Sequence, residues 1–173
     1  VRTRPWVLEN LSELTDLAQV QHVIDVGAGA GGWLEFLKQH TPAARWTAVE
    51  IWRPYINQFH LASRYDTVVA ADARTIEFPP ADLMIFGDVL EHMYPDEATA
   101  CWERALLASR WVVASLPIYI RYEQGELEGN VHETHLHHWD HDSFMEAFSG
   151  IVRDSPFIEN CCAGAFIARG WRK

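Results

Sequence analysis

The residues whose types and spacing could do chemistry begin at Asp25-Val26-Gly27-Ala28-Gly29-Ala30-Gly31, with Gly32 next in line. An apolar run at 22–26 precedes these glycines, and a helical pattern carrying Trp33, Leu34, Phe36 and Leu37 follows them. Glycine lets a backbone take positive φ and approach a ligand closely. The start of the helix offers unpaired N–H groups and a positive dipole end, where a ligand carboxylate or phosphate can sit. Gly27 to Gly32 satisfies G-x-G-x-x-G, and Glu50 follows 18 residues later at the end of the next strand. An acid in that place suits the hydroxyls of a ribose. The glycine string alone does not separate a nicotinamide dinucleotide from another adenosine cofactor. A tight strand-to-helix connection is its plainer reading.

A second group of residues could handle protons. His92 stands in Gly87-Asp88-Val89-Leu90-Glu91-His92-Met93, and five of the nine histidines fall within residues 132–141. Three readings stay open for them: a catalytic base, metal ligands, or surface and packing roles. His132-Glu133-Thr134-His135 is one residue too short for H-E-x-x-H. His137 and His141 have helical spacing, but Asp140 reads as a cap between them. No metal ligand set is assigned. Trp52, Tyr55, Tyr119, Tyr122 and Trp139 fall on connections, where they suit either ring stacking on a ligand or packing under loops. Trp33, Trp46, Trp102 and Trp111 fall on regular elements and read as core, although Trp33 also adjoins the glycine turn.

These groups need a scaffold, and the hydrophobic pattern supplies one. β-branched runs at 22–26, 46–50, 67–71, 83–87 and 111–116 read as strands. Helical periodicity covers 6–20 within an N-terminal segment 1–20, then 31–40, 54–63 and 95–108. The alternation predicts an α/β domain around a parallel sheet. Residues 117–139 break the rhythm as a polar, His- and Glu-rich insertion suited to a lid or substrate wall. Asp140 then caps a helix to 148, and 151–155 and 162–168 read as two antiparallel strands at the sheet edge. The count is seven strands, with helices distributed between the first six.

Four motifs in order resemble the Rossmann-like (class I) methyltransferases that use S-adenosylmethionine (SAM). Asp25 extends the turn to D-x-G-x-G-x-G, which resembles that family's first motif. Glu50 closes the second strand, Asp72 follows the third in Ala71-Asp72-Ala73, and Asp88 to His92 resembles the family's "DVLEH". The string Gly129-Asn130, Glu133, His135, Trp139 is similar to a stretch in some small bacterial and phage-associated members. The resemblance covers nearly the whole chain, from Val23 to Ala168. It implies a three-layer, Rossmann-like sheet of seven strands, mostly parallel with an antiparallel last strand, and helices on both faces. It places SAM against Asp25, Gly27, Ala28, Gly29, Gly31 and Trp33, then Glu50, Ile51 and Trp52, then Asp72 and Ala73, then Asp88 and Val89. Candidate catalytic residues are His92, His135, Glu133 and Asp88. Asp72 and Asp88 also suit plain turn and capping positions.

Composition narrows the rest. A chain of 173 residues, 49% apolar, fits one domain over residues 1–173 with one core. No apolar run of about 18 residues spans a membrane, and the start has no signal-peptide pattern. A net charge of −10 repels phosphate backbones and disfavours nucleic acid as substrate. Cys101, Cys161 and Cys162 read as buried free thiols in a reducing cytoplasm. The chain does not begin with Met and is read as a possible domain of a larger chain; a homo-oligomer is the other assembly expected. The expected activity is methylation of an O or N acceptor on a small molecule, with a sugar or natural-product hydroxyl favoured. A catalytically inactive SAM-binding partner and a protein or RNA methyltransferase are the alternatives.

Overall fold

A computed structural model describes residues 3–118, 123–155 and 162–171. Seven strands form one sheet: β1 (His22–Val26), β2 (Arg45–Val49), β3 (Thr67–Val69), β4 (Ala81–Gly87), β5 (Ser109–Pro117), β6 (Ile151–Ser155) and β7 (Ala163–Arg169). Their order is β3-β2-β1-β4-β5-β7-β6. β1 to β5 run parallel, and β7 is antiparallel to both of its neighbours. The chain winds outward from β1 to β3, then returns to place β4 on the other side of β1. That reversal opens a crevice at the carboxyl ends of β1 and β4, where open α/β sheets bind ligands.

Strands buried on both faces read as continuous apolar runs, and β1 is buried throughout. Ile24 and Val26 join one core layer, while Val23 joins the other. Asp25 shares the second face by the two-residue alternation of a strand. The first layer receives α5 (Pro95–Ala108) and α6 (His141–Ala147). α5 buries Ala98, Cys101, Trp102, Ala105 and Leu106, a stripe of helical period. It begins with Pro95 in its first turn, and the Tyr94 N–H donates to Glu97. The second layer receives α1 (Thr3–Leu14), α2 (Gly32–Leu37) and the short α3 (Arg53–Gln58) and α4 (Leu61–Arg64). Trp33, Trp46 and Trp102 are core residues and Trp111 packs against the core, as expected. No described helix is long and apolar enough to cross a membrane.

The structure departs from the sequence reading in four places. The helix expected over 6–20 runs from Thr3 to Leu14, and a separate 3-10 turn at Leu17–Gln19 starts where Asp16 accepts the Ala18 N–H. The helix expected over 54–63 breaks at His60, which takes φ +53°. No helix joins β3 to β4, so the helices do not fill every gap among the first six strands. Pro79-Pro80 in that connection removes donors and restricts the preceding residues. β6 and β7 pair antiparallel at one end of the sheet as expected, with β6 outermost and β7 beside β5. The reason is burial: Ala163 to Ala168 are buried on both faces, whereas Val152, Arg153 and Asp154 of β6 are exposed and suit an edge. Finally, Cys101 is buried as expected but Cys162 is exposed, and Cys161 lies outside the described residues. Tyr119 and Tyr122 also lie outside them.

Candidate active site

The glycine turn is built by its neighbours. Gly27, Gly29 and Gly31 take φ of +64°, +48° and +73°, the left-handed region that favours glycine. The Gly27 and Ala28 N–H groups donate to the Val49 carbonyl at 2.8 and 3.3 Å, tying the turn to the end of β2. A Cβ on Gly27 would come within 2.5 Å of Val89, so the turn after β4 also leaves no room there. At Gly29 the nearest atom to such a Cβ is 3.8 Å away, because that side borders the open cleft.

Glu50 links both strands. One of its carboxylate oxygens accepts the Gly29 N–H at 2.9 Å and the other the Trp52 N–H at 2.8 Å. Each oxygen keeps a further lone pair for a ligand hydroxyl. Burial raises the Glu50 carboxyl above its ordinary value, against those two amide bonds. Arg64, which sequence reasoning missed, braces the far side of the turn. Its guanidinium donates to the carbonyls of Ala30 at 2.7 Å and Gly31 at 3.3 Å and to Glu35 at 2.7 Å.

The cleft opens at the carboxyl ends of β1, β2 and β4. Ten of the expected site residues border it: Gly27, Gly29, Glu50, Ile51, Asp72, Ala73, Asp88, Val89, His92 and Glu133. Asp25, Ala28, Gly31, Trp33, Trp52 and His135 do not line it. Asp25 is buried behind the turn, where it accepts a hydrogen bond from the Tyr65 hydroxyl. Burial raises its carboxyl from the ordinary 3.8 to about 7, more than that bond lowers it. Ala28 and Trp33 pack into the second core layer. Trp52 meets His132 edge-on at 6.1 Å.

Asp72 has the turn role and the cleft position together. Its carboxylate accepts the Arg74 N–H at 2.9 Å and pairs with the Arg74 guanidinium at 2.7 Å, which also reaches Glu97 at 3.2 Å. Burial pushes the Asp72 carboxyl up, but the Arg74 bonds outweigh it and hold it low. Asp88 turns the chain out of β4 with φ +57°, its N–H on the Ser115 carbonyl at 2.7 Å. The side chain touches solvent in the cleft, yet the surrounding walls desolvate it and raise its carboxyl to about 6. With Glu50 and Glu133, these groups give the cleft an excess of carboxylates, favourable to a cationic ligand.

The segment before α6 lies across this cleft, and Tyr55 faces it from α3. Leu136 and His137 donate their N–H groups to the Glu91 carbonyl at 2.9 and 3.1 Å. Trp139 is buried among Phe144 and Phe148, and its indole N–H reaches the Leu90 carbonyl at 3.4 Å. Among its two readings, packing describes Trp139. Asn130 is buried and caps the 3-10 turn Val131–Glu133 through the His132 N–H. Asp140 caps α6, so His137 and His141 share no helix; His141 instead bonds Asp154 at 2.9 Å.

His92 borders the cleft with its ring nitrogen Nδ1 3.1 Å from the Thr134 carbonyl. A carbonyl only accepts, so Nδ1 carries the proton and Nε2 keeps its lone pair. Burial lowers the His92 pKa, which favours the neutral ring. The His135 ring meets it edge-on at 4.8 Å. Glu91 beside it is a residue that sequence reasoning did not single out, because nothing in the local pattern marks an acid for complete burial. Burial, then the Asp88 charge, raises its carboxyl well above the usual range.

A family model described as "Methyltransferase domain" matches residues 23–111, just over half of the chain and the stretch from β1 into β5 that carries the glycine turn, Glu50, Asp72 and Asp88. The chain belongs to this family of SAM-dependent methyltransferases. Solved structures agree on the methyltransferase fold. Magnesium protoporphyrin IX methyltransferase from Synechocystis PCC 6803, with SAH bound, superposes with a TM-score of 0.72 at 16% identity, over 98% of this chain and 82% of that one. A SAM-dependent methyltransferase from Clostridium acetobutylicum ATCC 824 gives 0.70 at 10% identity, over 97% and 90%. An O-methyltransferase family 2 protein from Planctomyces limnophilus DSM 3776, in complex with apigenin, gives 0.63 at 16% identity, over 87% and 50%. The methyltransferase described here thus spans most of the first two chains but only half of the third. No curated protein matches it by sequence.

Proposed function

We propose that this methyltransferase moves the methyl group of SAM to an O or N acceptor on a small molecule, with a hydroxyl of a sugar or natural product favoured. The observation that carries the reading is the cleft at the β1/β4 reversal, which gathers Gly27, Gly29, Glu50, Asp72 and Asp88 from four separate loops. The open space at Gly29 and the carboxylate-rich walls fit a cationic adenosine ligand. In this reading Glu50 takes the ribose hydroxyls, Asp72 the adenine amino group, and Asp88 and Val89 the neighbouring wall. Asp25 acts from behind, by holding the turn through Tyr65. One neighbour named for magnesium protoporphyrin IX and another solved in complex with apigenin support a small acceptor.

When bound, SAM supplies a methyl carbon already activated by a sulfonium. The chain then has to align the acceptor, exclude water and move a proton. A neutral His92 with Nε2 unprotonated suits the last task for a hydroxyl or ammonium acceptor. Glu133 and His135, held on the segment that crosses the cleft, are the other candidates, and Asp88 stands opposite them. The test is calorimetry with SAM, S-adenosylhomocysteine (SAH) and NAD, followed by transfer of labelled methyl to a panel of small hydroxyl and amine acceptors. Binding of SAM and SAH without NAD, and transfer to a small acceptor, is the expected result. NAD binding without SAM binding, or transfer only to protein or RNA, would overturn it.

A further inference from the structure

We propose that Glu91, His92 and His135 form a binding site for one divalent transition-metal ion, with Zn²⁺ the best match to the donor set. One ligand atom from each residue lies within 4.8 Å of the others. The independent observation is Glu91. It is 2% exposed, and its carboxylate oxygens have no hydrogen-bond partner on any other described residue. A buried carboxylate without a partner is costly, and such groups are normally paired or coordinate metals. Two imidazoles and one carboxylate are a frequent ligand set for Zn²⁺ and for other borderline divalent ions, with further positions open to solvent or substrate.

The supporting shell is also in place. Metal-bound histidines usually donate their second ring N–H to a carbonyl or carboxylate, which fixes the tautomer. His92 does so from Nδ1 to Thr134, leaving Nε2 to ligate. The Glu91 carbonyl holds the Leu136 and His137 N–H groups, so the backbone already fastens the His135 strand of chain to the turn that carries Glu91 and His92. Ligand atoms around a tetrahedral ion at about 2.1 Å stand about 3.4 Å apart. Small rotations of the two imidazoles, whose centroids are 4.8 Å apart, close the set. An ion there would staple the segment that crosses the cleft to the end of β4. Because His92 borders the cleft, an open coordination position would be available to an acceptor oxygen. The site does not depend on the methyl-transfer reading; with the ion bound, Nε2 of His92 is a ligand, and removal of the acceptor proton falls to another group.

The experiment is titration of the metal-free protein with Co²⁺, followed by its visible d–d spectrum, and competition by Zn²⁺ against a chromophoric chelator. SAM binding is measured on the same samples, so failure of the metal site and failure of the cofactor reading are separable. One equivalent should bind, with a low-symmetry Co²⁺ spectrum that Zn²⁺ abolishes. Glu91→Gln, which keeps the shape of the buried side chain, and His135→Ala should each weaken binding at least about tenfold. His138→Ala, on the exposed side of the same segment, should leave it unchanged. No stoichiometric binding, or binding lost only in His138→Ala, would overturn the proposal. So would equal affinity in the folded Glu91→Gln and His135→Ala proteins.

Discussion

Replacing Asp25 with Asn should change how stability depends on pH. The Asp25 carboxyl is 1% exposed, and one of its oxygens has no hydrogen-bond partner among the described residues. Its folded pKa of about 7 lies above the ordinary 3.8, because burial disfavours the charge more than Tyr65 stabilises it. The folded state therefore holds a proton that the unfolded chain has released between these values. Stability from this group is fully present below about pH 4 and is lost as pH rises to about 7. The window is about three pH units, and at about 1.4 kcal/mol per unit the loss is about 4 kcal/mol. Asn cannot ionise, and its carbonyl oxygen can still accept the Tyr65 hydroxyl. Urea unfolding of both proteins from pH 4 to pH 8.5 isolates this term, because other titrating groups cancel in the difference. Asp25→Asn should gain on the natural protein by about 4 kcal/mol across the window, of the order of 10 °C in Tm for a chain of this size. A difference that stays constant with pH, or that grows toward acid, would refute the assignment of a buried proton to Asp25.

Other predictions concern the cleft and its cover. Gly29→Val places a β-branched side chain at φ +48° on the open side of the turn, so SAM affinity measured by calorimetry should fall at least about tenfold; unchanged affinity would place the cofactor elsewhere. His92→Ala should lower kcat by roughly 100-fold while the SAM dissociation constant changes little; full turnover would move the base to another residue. Trp139→Ala removes a buried ring that anchors the segment over the cleft, and should cost about 3–5 kcal/mol in denaturant unfolding. Hydrogen exchange on the same variant should show lost protection at the Leu136 and His137 amides, and retained protection there would contradict the anchor.

Much of the fold was legible because its signals are local. The apolar runs at β1 and β4, the glycines between β1 and α2, and the Pro95 start of α5 depend on residues adjacent in the chain. The four motifs whose residues border the cleft were legible for the same reason, since each closes a strand and a parallel sheet brings all carboxyl ends to one edge. The place of β7 was less evident: antiparallel pairing followed from a short connection, whereas insertion beside β5 followed from the need to bury both faces of Ala163 to Ala168.

The sequence by itself determined the layered α/β architecture, the glycine turn and the order of acids behind it, because periodicity and backbone freedom are written in neighbouring residues. Only the tertiary structure decided which of those residues meet. It turned Asp25 inward onto Tyr65, set Arg64 behind the glycines, and brought His135 from a distant segment to Glu91 and His92. Such encounters depend on burial and on which crossover lies over which strand end. Those quantities arise from packing the whole chain, and no local spacing encodes them.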